Sequence, residues 1–267
     1  KRGRYLGVEY VVSIYCKMRK SNVLVGSSTF LMYFLLLLGS AEASVSWTEP
    51  VISGTLPDDR MHFASVLYND TLVICGGWDG TNLDDVWELD FSASPTMWSN
   101  TVANGQPGSP PARYGHSAVL SGDKMVVFAG QTTGYSNDVW ELHLVGASKG
   151  TWSQVSTTGG PPTARRYHTA LNYNSNMMVF GGKTPSVVND VWKLNLASNT
   201  WVEVTISGSS PAARQGHTAV LYGDKMVVFG GANELGSSNY NDVWQLELTT
   251  NSWSQLSPTG GPPSTRS

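Results

Sequence analysis

The chain has 267 residues, enough for one large all-β domain or two ordinary domains, and charged residues are only 14% of it, with a formal net charge of -3. No basic stripe is present, which sets nucleic acid aside as a partner. The counts Gly 28, Pro 13 and Trp 10 imply many turns and large apolar surfaces buried at repeated places.

The first element in chain order is a targeting segment. Lys17, Arg19 and Lys20 form a positive start, Phe30 to Leu38 is a continuous apolar run, and Ala41-Glu42-Ala43 fits the small-x-small cleavage rule. Residues 1–43 therefore read as a secretory signal peptide. Met18 is the candidate start, and residues 1–17 read as a spurious extension. An uncleaved signal anchor stays open as the alternative, although the apolar stretch is interrupted by Ser27, Ser28 and Thr29 and is short for a span. The expected location of the rest is secreted or on the extracellular face of a membrane. The sequon Asn69-Asp70-Thr71 fits that route as a glycosylation site. Cys16 and Cys75 make no disulfide framework; Cys75 follows Val73 and Ile74 and is expected to be a buried free thiol.

From residue 44 to 267 the chain repeats. An Asn/Asp-Asp-Val-Trp element ends at Trp87, Trp140, Trp192 and Trp244, spaced by 53, 52 and 52 residues. The same period governs a second tryptophan series (Trp47, Trp98, Trp152, Trp201, Trp253). It governs a doublet series too: Gly76-Gly77, Ala129-Gly130, Gly181-Gly182 and Gly230-Gly231. An arginine series follows it at Arg60, Arg113, Arg165, Arg214 and Arg266. The repeats run approximately 60–112, 113–164, 165–213 and 214–265, with a fifth beginning at 266. Each gives two apolar runs joined by a tight turn, the doublet, a loop, an alternating strand ending the Val-Trp motif, and a fourth strand around the second tryptophan. No segment carries a helical period. Four short strands per repeat describe one blade of a β-propeller, whose faces are buried only by stacking on neighbours, with the tryptophan pairs filling the interfaces.

These residues resemble the kelch repeat, in the Arg–His start, the Gly-Gly doublet and the two aromatics at fixed offsets; kelch repeats usually carry Tyr where this chain has Trp87, Trp140, Trp192 and Trp244. The resemblance implies an all-β kelch-type β-propeller, here with four complete four-stranded blades and an incomplete ring. Residues 44–53 are expected to supply a closing strand to the last blade. Since kelch propellers often have six or seven blades, the sequence reads as a fragment. In repeat two Ala129 replaces the first glycine, so Gly130 is expected to carry the unusual backbone conformation. In repeat one Phe63 stands where His116, His168 and His217 stand in the others.

Strand alternation places the loops between second and third strands on the same face as the connections between blades, and Asn69 on the opposite face. The loop segments "WDGTNL", "QTTGYS", "KTPSVV" and "ANELGSSNY" share a framework and differ in content, as a rigid scaffold presenting variable contacts would. The candidate binding residues are Trp78, Asp79, Asn82, Tyr135, Lys183, Glu234, Asn239 and Tyr240, with Trp78 foremost. The repeat histidines and the aspartates Asp85, Asp138, Asp190 and Asp242 are expected to tie blades together rather than bind metal or act as acids and bases. No cofactor, metal or catalytic residue is assigned. No H-E-x-x-H, G-x-S-x-G, P-loop or CxxC motif is present, and no copper ligand set of the galactose oxidase kind maps onto the chain. The leading reading is a non-catalytic recognition module that binds a protein or glycan through loops on one face. Any membrane link would run only through an uncleaved signal anchor or a missing C-terminal segment. The alternative is a carbohydrate-active secreted propeller: a lectin, or an enzyme like the sugar oxidases or the sialic-acid isomerases.

Overall fold

The structure, a computed structural model, describes residues 51–234 and 239–260. The signal segment, Trp47 and Arg266 lie outside the described residues. In chain order the strands are β1 (Ile52–Gly54), β2 (Ala64–Tyr68), β3 (Thr71–Trp78), β4 (Asn82–Asp90) and β5 (Thr96–Val102); β6 (Ser117–Ser121), β7 (Lys124–Gln131), β8 (Tyr135–His143) and β9 (Trp152–Val155). They continue as β10 (Thr169–Tyr173), β11 (Asn176–Lys183), β12 (Val187–Asn195) and β13 (Thr200–Glu203); β14 (Thr218–Tyr222), β15 (Lys225–Phe229), β16 (Val243–Glu247) and β17 (Ser252–Leu256). They form four antiparallel meanders, β2–β5, β6–β9, β10–β13 and β14–β17, one per repeat. Among the described residues the only helical element is a single 3-10 turn at Gly146–Ser148. The fold is an all-β propeller of four blades whose ring is not closed.

Period-two alternation decides how the blades stack. In β7, Met125 and Val127 pack with Ala64, Val66, Val73 and Cys75 of the first blade. Val126 and Phe128 face the other way and pack with Met177, Val179, Leu194 and Trp201 of the third. The third and fourth blades meet through Met178, Phe180 and Val191 against Met226, Val228, Leu246 and Trp253. Each sheet is thus apolar on both faces. The fourth-strand tryptophans pack against the preceding blade, with Trp201 4.8 Å from Phe128 and Trp253 4.9 Å from Phe180, ring centroid to ring centroid. The inner strands β2, β6, β10 and β14 touch in sequence, so they line the axis.

The structure answers three expectations. Residues 44–50 of the expected closing strand lie outside the described residues, while Ile52–Gly54 form β1, which runs parallel to β5 and extends the first blade's own sheet to five strands. The reason is general to the repeat, because the segment leaving one blade's fourth strand runs parallel along the next blade's outer strand, as Thr158 does with Thr200 and Ser207 with Ser252. Second, in the first three blades the doublets are not strand ends, whereas in the fourth β15 ends at Phe229, just before Gly230-Gly231. The first three are β-bulges inside continuous strands, with the register shifting between Cys75 and Gly77, Phe128 and Gly130, and Phe180 and Gly182. The connections between second and third strands are therefore only three residues long in the first three blades, and Trp78, Asn82, Tyr135 and Lys183 are strand residues.

Third, both doublet positions take positive φ. Ala129 sits at +62° and Gly130 at +102°. The first value lies in the small left-handed region open to L-residues, and the second does not. A Cβ on Gly130 would also stand 2.8 Å from His116 Cβ. The methyl is tolerated at one position and forbidden at the next.

Candidate functional site

Each blade is fastened by one clasp, repeated four times. Arg165 Nη1 and Nη2 donate to Asp190 Oδ1 and Oδ2 at 2.7 and 2.8 Å, Nη1 also donates to Gly181 O at 2.9 Å, and Trp192 Nε1 donates to Asp190 Oδ2 at 2.7 Å. The same bonds join Arg60, Gly76, Asp85 and Trp87; Arg113, Ala129, Asp138 and Trp140; and Arg214, Gly230, Asp242 and Trp244. The tryptophan that stands where kelch repeats usually carry Tyr thus supplies an indole N–H to the aspartate as well as packing. The Arg–Asp pair lies within one blade, so the expectation that it ties blades together needs restating. The arginine backbone makes the link: Arg113 N donates to Leu83 O, and Gly77 N donates to Arg113 O, both at 2.9 Å. One residue thereby docks its main chain on one blade and its guanidinium in the next.

Burial is the largest influence on Asp138 and would raise its pKa, but Arg113, Ser136 and Trp140 outweigh it and hold the carboxyl at about 2. The clasps are structural ion pairs. Arg60, Arg165 and Arg214 are almost completely buried, which leaves their charges to these partners.

The repeat histidines link neighbouring blades through side chains. His168 Nε2 lies 2.7 Å from Ser117 Oγ and His217 Nε2 lies 2.9 Å from Thr169 Oγ1. In the first blade Ala64 replaces the hydroxyl residue, and His116 Nε2 meets Cys75 Sγ at 3.4 Å instead. Burial pushes the Cys75 thiol up to about 12, which makes it an inert packing group. Among the described residues no three His, Cys, Asp or Glu side chains are grouped to hold a metal ion.

The predicted binding residues fall into two groups. Trp78, Asp79 and Glu234 are exposed. Trp78 is bonded through its backbone to Met61, and Asp79 Oδ1 accepts from Thr81 N and Thr81 Oγ1 at 2.9 Å, a self-capped turn. The other group is half-buried and engaged inside the propeller. Asn82 Nδ2 donates to Thr132 O at 3.1 Å, joining the first two blades. Lys183 forms an ion pair with Glu234, which joins the third and fourth. Tyr240 lies over the Arg214 guanidinium at 4.5 Å, Tyr135 lies under Arg166 at 5.5 Å, and Asn239 bridges to Ala232.

Beside these loops the structure assembles a cluster that sequence reasoning missed. The residue before each repeat histidine, or before Phe63 in the first blade, forms an inner rim. Gly115 N donates to His62 O at 2.8 Å, Tyr167 N to Gly115 O at 2.7 Å, and Gly216 N to Tyr167 O at 2.9 Å. All four take positive φ: His62 59°, Gly115 64°, Tyr167 57° and Gly216 64°. For His62 and Tyr167 this costs about 1–2 kcal/mol each. Their rings meet at 4.9 Å above Gly115, where an added Cβ would strike Tyr167 at 2.9 Å. Arg166 lies over Tyr167 at 4.8 Å and over Tyr114 at 5.5 Å, and Arg166 Nη1 donates to the Tyr114 hydroxyl. Burial first and Arg166 second hold His62 down at about 4, so it is neutral near pH 7, while burial raises Tyr167 to about 12. The cluster sits at the mouth of an axial channel of about 330 Å³ lined by the inner strands. The available signal was the departure from glycine at His62 and Tyr167.

Stacked four-stranded blades, glycine bulges and an Arg–Asp–Trp clasp in each repeat define a kelch-type β-propeller. A family model described as the KLHDC2/KLHL20/DRC7 Kelch-repeats domain matches residues 95–267, and the Kelch motif matches residues 59–94. The chain belongs to this kelch-repeat family. It is similar to Adagio-like protein 3 of Oryza sativa subsp. japonica, 32% identical over 161 residues, which are 57% of this chain and 25% of that protein. It is also similar to human Leucine-zipper-like transcriptional regulator 1, 31% identical over 149 residues, 52% of this chain and 17% of that one. The chain thus matches a quarter or less of the length of these curated relatives. Among solved structures, that of YjhT superposes with a TM-score of 0.60 at 20% identity, covering 76% of this chain and 67% of that one, which is a likeness of fold.

Proposed function

We propose that this chain is a non-catalytic recognition module that binds a partner protein through the face carrying the β3–β4, β7–β8 and β11–β12 connections. The observation that carries the reading is a constant scaffold with variable tips. The clasp recurs in every blade and the bulge in the first three, while the exposed positions beyond the glycine doublets hold Trp78-Asp79-Gly80, Thr133-Gly134, Pro185-Ser186 and Glu234. Chemistry repeated four times serves the fold; chemistry that varies on one rigid face serves recognition. Membership of a kelch-repeat family, with one of the relatives named as a transcriptional regulator, supports the same reading. The carbohydrate-active alternative gains no support from the comparisons.

We also infer a secretory route, from the residues 1–43 pattern, with a glycan on Asn69. Asn69 is exposed at the tip of the β2–β3 hairpin, on the face away from the proposed contact, so a glycan there would leave the binding face open. A mobility shift on endoglycosidase treatment, lost in Asn69→Gln, is the expected result. For the binding face the test is Trp78→Ala. With its side chain 38% exposed, Trp78 is expected to weaken partner binding at least tenfold on truncation with little change in melting temperature. Equal loss of stability would make Trp78 a packing residue and count against the face.

A further inference from the structure

In the first, third and fourth blades the outer edge of the fourth strand is covered by the segment that leads into that blade. β1 lies along β5, Thr158 along Thr200 and Ser207 along Ser252. The covering chain runs parallel to the strand and bonds to it through the main chain. Thr158 N donates to Asn199 O and Trp201 N donates to Thr158 O, both at 2.9 Å, and Ser207 N donates to Asn251 O at 3.0 Å. Each covering segment is a hydroxyl residue followed by glycine: Ser53-Gly54, Thr158-Gly159 and Ser207-Gly208. The hydroxyl also meets the strand, with Thr158 Oγ1 3.1 Å from Thr200 Oγ1. The glycines hold φ of +86°, +80° and +78°. A Cβ would stand 2.3 Å from Trp98 O at Gly54 and 2.2 Å from Trp201 O at Gly159, so at these two edges only glycine passes the tryptophan carbonyl.

The second blade departs from this pattern. At the same places before its arginine, Arg113, stand Gln106 and Pro107. Proline holds φ at about -65° and cannot turn as the glycines do. The linker is drawn elsewhere: Asn104 Oδ1 accepts from Asp84 N and Asp85 N at 2.9 and 3.1 Å, and Gly105 N donates to Asp84 Oδ1 at 2.9 Å. Gln106 O, the counterpart of the carbonyl that reaches Trp201 in the third blade, accepts instead from Ser109 N at 3.1 Å. Among the described residues nothing pairs with the outer edge of β9. A cavity of about 440 Å³ is lined by the linker at Gln106 to Ser109 and by the start of the strand at Gly150 to Trp152. Trp152 is half-buried, whereas Trp98, Trp201 and Trp253 are buried.

Trp152 pairs with Leu142 as Trp201 pairs with Leu194, so its N–H points to the outer edge as that of Trp201 does. An open edge of this kind takes an extended chain through main-chain bonds. We propose that the outer edge of the second blade is a strand-addition site for an extended Ser/Thr-Gly segment of a partner protein. The segment runs parallel to β9 in the cavity beside the linker. Its hydroxyl residue bonds Gly150 O and the Trp152 N–H, and its glycine passes Trp152 O. The chain's own pairs at this place are engaged on their edges, and Thr259-Gly260 stands at the same place before Arg266, as the lead-in to the next repeat. The occupant therefore comes from another protein. The site lies on the outer rim and does not rest on the recognition face.

The test is a titration of the full chain, its backbone amides followed by NMR, with acetyl-Ser-Thr-Thr-Gly-Gly-Pro-amide, the sequence of residues 156–161, as probe. Saturable shifts of the Trp152 amide are expected, with affinity at least tenfold weaker for acetyl-Ser-Thr-Thr-Ala-Gly-Pro-amide. Both peptides are compared on the unaltered chain, so the result does not depend on a variant folding. Equal responses to the two, no response to either, or shifts at Trp201 as large as those at Trp152 would overturn the site. The double variant Gln106→Thr, Pro107→Gly gives the second blade the lead-in of the others and is expected to weaken the probe at least tenfold; unchanged affinity would overturn the site as well. Trp152 shifts that grow with the concentration of the chain alone would keep the edge and overturn the partner protein, placing Thr259-Gly260 of a second copy there.

Discussion

Arg165 and Asp190 stand in bidentate contact with the arginine fully buried and the aspartate side chain 25% exposed. The pair is sealed on one side by the Trp192 indole, whose N–H takes the same Oδ2 that Nη2 of Arg165 reaches. One carboxylate therefore answers two side chains, one from the start of the repeat and one from its third strand. Removing the fork leaves buried charge without a partner. Arg165→Lys, which keeps charge and loses the fork, is expected to destabilise the chain by about 3 kcal/mol in urea denaturation. Trp192→Tyr, which restores the usual kelch residue, is expected to cost about 1 kcal/mol or less, since a phenol can also donate to Asp190. Equal costs for both would show that packing, not the fork, holds the clasp.

The two bulge positions in the second blade predict opposite responses to a single methyl group. Gly130→Ala forces an L-residue to φ near +102° and drives Cβ into His116, so a loss of about 3 kcal/mol or more is expected. Ala129→Gly relieves left-handed strain of about 1 kcal/mol but gives up a buried methyl of about 0.8 kcal/mol, so a change within about 1 kcal/mol is expected. Denaturation midpoints of the two variants decide it. A tolerated Gly130→Ala would contradict the bulge geometry.

The buried histidines set an acid limit. Burial first, and Arg113 or Arg214 second, hold His116 and His217 at about 3, and burial holds His168 well below its ordinary value. In the unfolded chain each takes a proton near 6.5. Between those values the unfolded state binds more protons, so stability is complete above pH 6.5 and declines as pH falls toward 3. Each histidine contributes a slope of up to about 1.4 kcal/mol per pH unit in that window. Melting temperatures from pH 7.5 to 4.5 should fall steadily, and more gently in His116→Phe, which copies Phe63 of the first blade. An unchanged slope in that variant would mean that His116 is already protonated in the fold.

The architecture was legible because its determinants are local and repeated. Period-two alternation, the doublets and the Val-Trp elements each occur four times, and the structure returns one blade per repeat. What was less legible depends on contacts between repeats. The doublets look like strand ends in sequence, because glycine marks bulges and turns alike; only the pairing of Gly182 with Val188 shows the strand continuing. That Ile52–Gly54 would join β5 was not legible, because nothing local says which neighbour an isolated edge segment will pair with. Asn82, Lys183 and Tyr240 look like free loop residues, because the partners of the first two lie in another blade and that of Tyr240 is the buried clasp arginine of its own blade, 26 residues back in sequence. The axial cluster was hidden for the same reason: His62 and Tyr167 are 105 residues apart and two blades apart, yet their rings touch. The repeat comparison shows that each breaks a glycine position, and it cannot show that both breaks face one channel.

The central claim is that partners are met on one face. A photoreactive amino acid placed at Asp79, beyond the first bulge, or at Asp123, at the tip of the β6–β7 hairpin on the opposite face, tests it directly in cells that express the full chain. Protein adducts from position 79, with few or none from position 123, are the expected result. Adducts formed equally from both positions, or only from 123, would contradict the assignment of the recognition face.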